Sequence, residues 1–333
     1  MSMSIEVRAE PRPRRAWRSK ALSAGWLVAG LALAAWLIAH VGASAILKGL
    51  EAAGWHGFLA ILGVRLVVTL LMGLAWWRLR RVGKRRSFVW GRLLRDAGAE
   101  ILPLSQLGGY LLATRSVVLH GASGAAAAAS VIADATLEFC AQIAFVLIGI
   151  YALLALTHNS FVAIPVVGGT VAMISAAAAT LVFLRRQGFR IPARRALSVL
   201  PVKFRAALSM GAAVQMELRN ILPLRRVWPS FGLHFAAWML SAVEAWLALR
   251  FLGAKLDFAM VLSLEGLLYA VRSVAFLVPS AAGVQEGAYL LLGAALGLKP
   301  ELVLGLSLLK RGRDLALGIP TLLSWHFAEC RRG

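Results

Sequence analysis

The sequence predicts an all-α, polytopic membrane helix bundle, and three observations carry that prediction. Hydrophobic residues make up 60% of the 333-residue chain and the mean hydropathy is +0.76, against the roughly 45–50% apolar content of soluble domains. Apolar runs long enough to cross a bilayer recur along the whole chain. The basic residues, which set a net charge of +21, stand beside those runs: of 36 Lys and Arg, six lie in residues 1–20, eight in 78–95 and ten in 185–226. Such blocks are the positive-inside signature, and they favour anionic lipid head groups at the cytoplasmic face, not nucleic acid, as partners. The alternating pattern of a membrane β-barrel is absent.

Taken in order, residues 1–20 read as a basic cytoplasmic N-terminus. The run Ala21–Val41 resembles a signal peptide in its basic lead, but it is longer than a signal core and reads as a retained first helix. Further spans are expected at Gly57–Trp77, within Gly124–Leu156, and at Phe161–Leu184, Pro229–Phe251, Phe258–Val278 and Glu301–Trp325. Residues 21–325 then form one transmembrane domain of seven or eight spans. Its first half is 57–184, its linker 185–228 and its second half 229–325, with a tail at 326–333. The linker mixes basic residues with Leu197, Leu200, Phe204, Leu208 and Leu218 and reads as amphipathic helices on the cytoplasmic membrane face. Trp17, Trp26, Trp55, Trp76, Trp77, Trp90, Trp228 and Trp325 fall near proposed span ends, as an interfacial belt would place them.

Two stretches look like spans that are deliberately broken. The first reads Ile101-Leu102-Pro103-Leu104-Ser105-Gln106-Leu107-Gly108-Gly109-Tyr110; the second reads Val278-Pro279-Ser280-Ala281-Ala282-Gly283-Val284-Gln285-Glu286-Gly287-Ala288-Tyr289. Backbone that leaves the helix at membrane depth must be satisfied by protein or water, so it lines a cavity. A pair of Gly/Pro-interrupted segments at corresponding places marks a possible internal two-fold repeat and points to a transporter's binding site. Parity fixes the first one. Basic blocks at 78–95 and 185–226 both belong on the cytoplasmic side, and the spans after Gly124 and Phe161 already supply two crossings, so 97–119 should dip in and return. At the second, a cytoplasmic C-terminus, suggested by Arg331 and Arg332, would require residues 280–297 to cross; that end stays open.

Ionisable residues inside spans each cost a few kcal/mol and need a partner or a wet path. Asp134, Glu138 and Gln142 recur at four-residue spacing and share a helix face, as do Glu265 and Arg272. Lys310, Arg311, Arg313 and Asp314 cluster in the last span, and Arg65, Glu244 and Glu286 are further cases. Together they suggest a polar interior that accepts a charged or zwitterionic head group. Candidate cavity residues are Gln106, Gly109, Tyr110, Asp134, Glu138, Arg272, Gly283, Glu286, Gly287, Arg313 and Asp314. Gln106 and Glu286 are expected to face the cavity, Gly109 and Gly287 to allow close approach, and the acids to pair with Arg313. Metalloprotease, hydrolase-elbow and nucleotide-cradling motifs are missing; Cys140 and Cys330 have neither disulfide nor metal spacing. No catalytic residue, metal or cofactor is therefore expected. Five of the six histidines (His40, His56, His120, His158 and His326) fall near span ends. Gly121-Ala122-Ser123-Gly124 is either an anion-binding helix start or a connector.

At these residues the chain resembles the transmembrane region of lysylphosphatidylglycerol synthases, a flippase-like membrane family. Pro279, Gly283 and Glu286 keep the spacing of that family's Pro-Gly-Gly-x-Gly-x-x-Glu segment, with Ser280 and Ala281 in place of the paired glycines. Pro103 and Gly108-Gly109 are similar in the first segment, which lacks the acid usual after the glycine. The Lys310-Arg311-x-Arg313-Asp314 run resembles the family's charged last helix. The wording Pro-Leu-Ser-Gln-Leu-Gly-Gly is similar to a subgroup associated with hopanoid biosynthesis. The resemblance implies an inner-membrane lipid translocase handling a polar-headed lipid. Alternatives are a membrane-embedded enzyme, or an accessory scaffold working with lipid-biosynthesis proteins. Only eight residues follow Trp325, so the soluble aminoacyl-transfer domain of the full synthases is expected to be absent.

Overall fold

A computed structural model of the protein describes residues 43–80, 84–101, 105–157, 202–221, 224–275 and 281–331, with the single positions 171, 175 and 278. The expected span Ala21–Val41, all but two positions of Phe161–Leu184, residues 1–20 and 185–201, and Pro103 and Pro279 lie outside the described residues. The regular structure among the described residues is all helical, joined by turns, and no strand occurs among them. The helices are α1 (Ala43–Arg80), α2 (Arg85–Ile101), α3 (Ser105–Leu119), α4 (Gly124–Thr157), α5 (Val202–Ile221), α6 (Leu224–Phe251), α7 (Phe258–Val274), α8 (Val284–Ala295) and α9 (Pro300–Cys330).

Three of them hold stretches long and apolar enough to cross a membrane: Ala53–Arg80, Gly124–Leu156 and Arg225–Phe251. The 31-residue α9 reaches about 46 Å and also runs the length of the bundle, although its middle is charged. Contacts give the directions. Ser230 donates to the Ala75 carbonyl, and a Cβ on Gly57 would meet the Phe251 ring, so α1 and α6 are antiparallel. Asp134 and Glu138 meet His234 and Trp238, so α4 rises beside α6. Gly305 sits at Leu252, Gly312 at Phe58 and Gly318 at Ile101, so α9 descends with α1.

Both broken segments are helical hairpins. In the first, Gly98 lies against Gly109, Arg95 bonds Tyr110 and Gly91 approaches Ser116. Residues rising along α2 thus meet residues falling along α3, and Leu119 returns to the end of the bundle where Arg85 began. A Cβ at Gly109 would strike the Arg95 carbonyl oxygen, so the arms close this tightly only because glycine stands there. Arms of 17 and 15 residues, the first of them strongly charged, do not make two membrane crossings, in keeping with the parity of the basic blocks.

The second hairpin corrects the expected span Phe258–Val278. Helix α7 has 17 residues, enters beside the far end of α4 (Gly149 against Leu262 and Gly266), and stops at mid-bundle, where Gln142 bonds the Tyr269 carbonyl and Ser273. The 12-residue α8, only about 18 Å long, then turns back along it: Arg272 bonds Gln285 and Tyr289 bonds Glu265. Residues 280–297 therefore do not cross, and α9 alone carries the chain back to the end where Arg331 lies. The turn contains Ala281 and Gly283 at positive φ, 47° and 74°. Gly283 needs that freedom to start α8, while Ala281 is strained there. One hairpin enters from each end of the bundle, which is the relation of an inverted repeat, not a parallel one.

The ends differ in charge. At the Arg85 end lie Arg78, Arg80, Arg86, Arg115, Arg219, Arg225, Arg226 and Arg331, against Glu217 and Glu329. At the Phe258 end Arg250, Lys255 and Lys299 stand against Glu51, Asp257 and Glu301. Helix α5 buries Leu218 and Ile221 against Leu79, Ala129, Ala133 and Leu137 near the basic end. The tryptophan belt divides: Trp55 and Trp228 are exposed, but Trp76 is buried edge-on against Phe88. Ser123 accepts the Ala126 N–H, so Gly121–Gly124 is a helix cap and connector.

Candidate functional site

The two hairpin tips meet. Glu100, next to the last residue of α2, accepts from Arg272 at 2.9 Å. Arg272, near the end of α7, also donates to Gln285 at the start of α8 at 2.7 Å. Beside this junction is a cavity of about 370 Å³, walled by α1, α2, α3, α4, α6, α7 and α9, within the size range of small-ligand pockets. Its charged lining is Arg65, Arg92, Arg95, Arg272 and Arg313 with Asp96, Glu100, Glu138 and Asp314.

Those charges are held in three ion-paired groups, around Arg92 and Arg95, around Arg272 and around Arg313. Glu138 takes both terminal nitrogens of Arg92 at 2.7 and 2.8 Å and the Nη1 of Arg95 at 2.6 Å. Arg92 also reaches Asp96 at 2.9 Å. Arg95 shares Asp134 at 3.2 Å, donates to the Tyr110 hydroxyl at 3.1 Å and lies over its ring. Arg313 joins Glu244 and Asp314. Arg65 touches Asp96 only at 3.7 Å. Eight of the fifteen acids in the chain are ion-paired in this way, six of them between helices (Glu100, Asp134, Glu138, Glu244, Glu265 and Glu286) and two, Asp96 and Asp314, with an arginine of their own helix. Paired charges can be buried where lone ones cannot, and the pairing leaves polar atoms of both signs around one empty volume.

Of the residues expected at a cavity, Gln106, Tyr110, Glu138, Arg272, Arg313 and Asp314 border it. Asp134 stands one layer back, behind Arg95, and Gly109 works inside the first hairpin. Glu286 does not face the cavity. It is buried in the second hairpin, where it accepts the Gly283 N–H at 2.8 Å, the Ser307 hydroxyl at 3.0 Å and Arg311 at 2.5 Å. Its partner is thus Arg311, not Arg313. Its bond to the Gly283 N–H, the glutamate half of a capping box, satisfies one free donor at the start of α8 and explains the Gly-x-x-Glu spacing as a hairpin lock. Gly283 belongs to that lock. Gly287 approaches nothing; a Cβ there would meet open space. Lys310 closes the same hairpin deeper in, 2.5 Å from Glu265 and 3.0 Å from the Tyr289 hydroxyl.

Arg92 and Arg95 overturn the reading of 78–95 as a basic surface loop. They sit on α2, buried, and supply two of the five cavity arginines. Their signal was available: Arg92, Arg95, Asp96 and Glu100 recur every three to four residues between Leu93, Leu94, Ala97, Gly98 and Ala99, which is one charged face on an otherwise apolar helix. Tyr269 carried no comparable mark.

No curated protein matches the chain, and no solved structure does. A sequence model of the lysylphosphatidylglycerol synthase transmembrane region matches residues 23–320, a range that contains both hairpins and every charge of the network. This integral membrane protein belongs to the lysylphosphatidylglycerol synthase transmembrane-region family.

Proposed function

We propose that the protein is a flippase-like lipid translocase of the inner membrane, which passes the polar head group of a lipid through the cavity between the two hairpin tips. One observation carries this: the cavity is lined by five arginines and four carboxylates at the place where hairpins from opposite ends of the bundle meet. A site so nearly charge-balanced suits a head group bearing both signs, or a strongly polar one, and opposed hairpins provide a gate toward each leaflet. The charge asymmetry of the two ends supports a cytoplasmic basic end, and with it a cytoplasmic N-terminus. The first-segment wording makes a hopanoid one candidate lipid beside the phospholipids. With no nucleotide-cradling motif in the sequence, transport is passive or ion-coupled.

The test is leaflet exchange in proteoliposomes, in which a fluorescent phospholipid or hopanoid is bleached from outside by dithionite. Purified protein should raise the bleachable fraction above the half found in protein-free vesicles. No increase with any polar-headed lipid would remove the translocase, and a covalently altered lipid recovered from the vesicles would replace it with a membrane-embedded enzyme.

A further inference from the structure

Two of the three ion-paired groups around the cavity balance, and the third does not. Arg65, Arg92 and Arg95 stand against Asp96, Asp134 and Glu138, and Arg272 stands against Glu100. Arg313, a single cation, holds both Glu244 and Asp314. Lys310 and Arg311 do not make up the difference, because each is taken by an acid of the second hairpin, Glu265 and Glu286. The surplus negative charge reaches the cavity at Asp314. Arg313 gives its Nε and Nη2 to the same Asp314 oxygen, Oδ1, so Oδ2 has no partner among the described residues. The Asp314 side chain is part-exposed and borders the cavity. Behind Arg313, Glu244 is buried, and its Oε2 also lacks a hydrogen bond among the described residues.

Across the lining, Arg65 is the least engaged cation. It comes no nearer than 3.7 Å to Asp96 and makes no hydrogen bond among the described residues, although a guanidinium carries five N–H donors. Arg65 stands close enough to Asp314 to act on its charge. We infer that the cavity selects a zwitterionic phospholipid head group with a primary ammonium, taking the phosphate on Arg65 and the ammonium on Asp314 Oδ2. This deepens the lipid-translocation reading and rests on it. A phosphate suits the forked donors of an arginine that has no close partner. An ammonium supplies the cation that the Arg313 group lacks, and it brings three N–H donors. Two hydroxyl acceptors in the lining serve the remaining donors. Ser241, one turn from Glu244 on α6, gives its own hydrogen to the Ala237 carbonyl and keeps its lone pairs; Thr69 shares the Arg65 face of α1. An anionic head group satisfies Arg65 alone and adds a second uncompensated negative charge. A trimethylated one has no N–H to give.

The experiment follows dithionite bleaching of acyl-chain NBD-labelled phosphatidylethanolamine, phosphatidylcholine and phosphatidylglycerol in phosphatidylcholine vesicles. The parent should exchange phosphatidylethanolamine about tenfold faster than the other two, the effect of one charge-assisted hydrogen bond. Asp314→Asn should bring the three rates together, and Arg65→Gln should slow all three while keeping their order. Parent rates within about twofold of one another, an Asp314→Asn protein with the parent's preference, or an Arg65→Gln protein with the parent's rates would overturn the assignment and leave the translocase standing. If Asp314→Asn does not fold, the parent's ratio of phosphatidylethanolamine to phosphatidylcholine decides alone, since methylation removes the donors from the lipid and leaves the protein untouched. No exchange of any lipid by the parent would strike the translocase instead. The site is then judged by native mass spectrometry of the detergent-solubilised protein: phosphatidylethanolamine retained over phosphatidylglycerol by the parent, and not by Asp314→Asn, supports it, and equal retention by the parent overturns it.

Discussion

Replacing Glu138 by glutamine removes one charge and almost no volume, and so asks whether the buried network is electrostatic. In the folded protein this carboxylate bonds both terminal nitrogens of Arg92 and one of Arg95 within 2.6–2.8 Å, and both arginine side chains are at least nine-tenths buried. After the exchange Arg92 keeps Asp96 and Arg95 keeps Asp134 and Tyr110, leaving the cluster with one positive charge too many for its remaining anions to hold closely. Breaking a buried ion pair from one side costs about 3–5 kcal/mol, and at the usual unfolding entropy per residue a chain this size loses about 1.5 °C of Tm per kcal/mol. Thermal unfolding in detergent, followed by size-exclusion of a fluorescent fusion, should therefore show a fall of about 4–7 °C. Adding Arg92→Gln should return part of it, because the uncompensated cation is removed; the coupling expected is about 1–3 kcal/mol. A single Glu138→Gln variant within about 1 °C of the parent would refute the network as drawn, since the carboxyl would then have to be uncharged or unpaired.

Other outcomes follow from the same geometry. Asp314→Asn should slow lipid exchange more than it lowers Tm, because Asp314 borders the cavity, whereas Glu286→Gln should do the reverse, because Glu286 locks α8 to α9; the two readouts measured side by side decide, and equal effects would erase the distinction. Gly109→Ala should cost about 1–3 kcal/mol, read as thermal stability, by forcing α3 off the Arg95 carbonyl. Single cysteines at Arg86 and Val118 should react with a membrane-impermeant thiol reagent from the same side, and labelling of position 118 from the opposite side would refute the first hairpin. Arg85→Ala should change transport little, at about 1 kcal/mol of head-group attraction, while Arg95→Ala should abolish it; proteoliposome rates compare the two.

The sequence by itself determined the solvent and the type of fold. Hydrophobic runs of span length leave a helical bundle as the only open choice, because backbone in lipid must satisfy its own hydrogen bonds. Basic blocks added enough to read residues 97–119 as returning to their own side. Pro103 with Gly108-Gly109 and Pro279 with Gly283 marked both breaks, since proline and glycine act on the local backbone and so show locally in the chain. Partners did not show. Lys310, Arg311 and Arg313 stand within four residues, yet they go to Glu265, Glu286 and Glu244 on three different helices. Helix rotation, which no local signal sets, chooses among them. The same holds for Glu286, whose spacing matched a substrate motif but whose side chain turns back to cap its own helix. Arg92 and Arg95 read as surface charge because a basic block beside a span normally is one; only packing α2 into the bundle, against Asp134 and Glu138 some forty residues away, makes them interior. Tertiary structure also decided that the two hairpins enter from opposite ends. That relation depends on where α7 stops, at the level of Gln142 and Glu100, and no property of residues 258–278 alone distinguishes a helix that stops halfway from one that crosses.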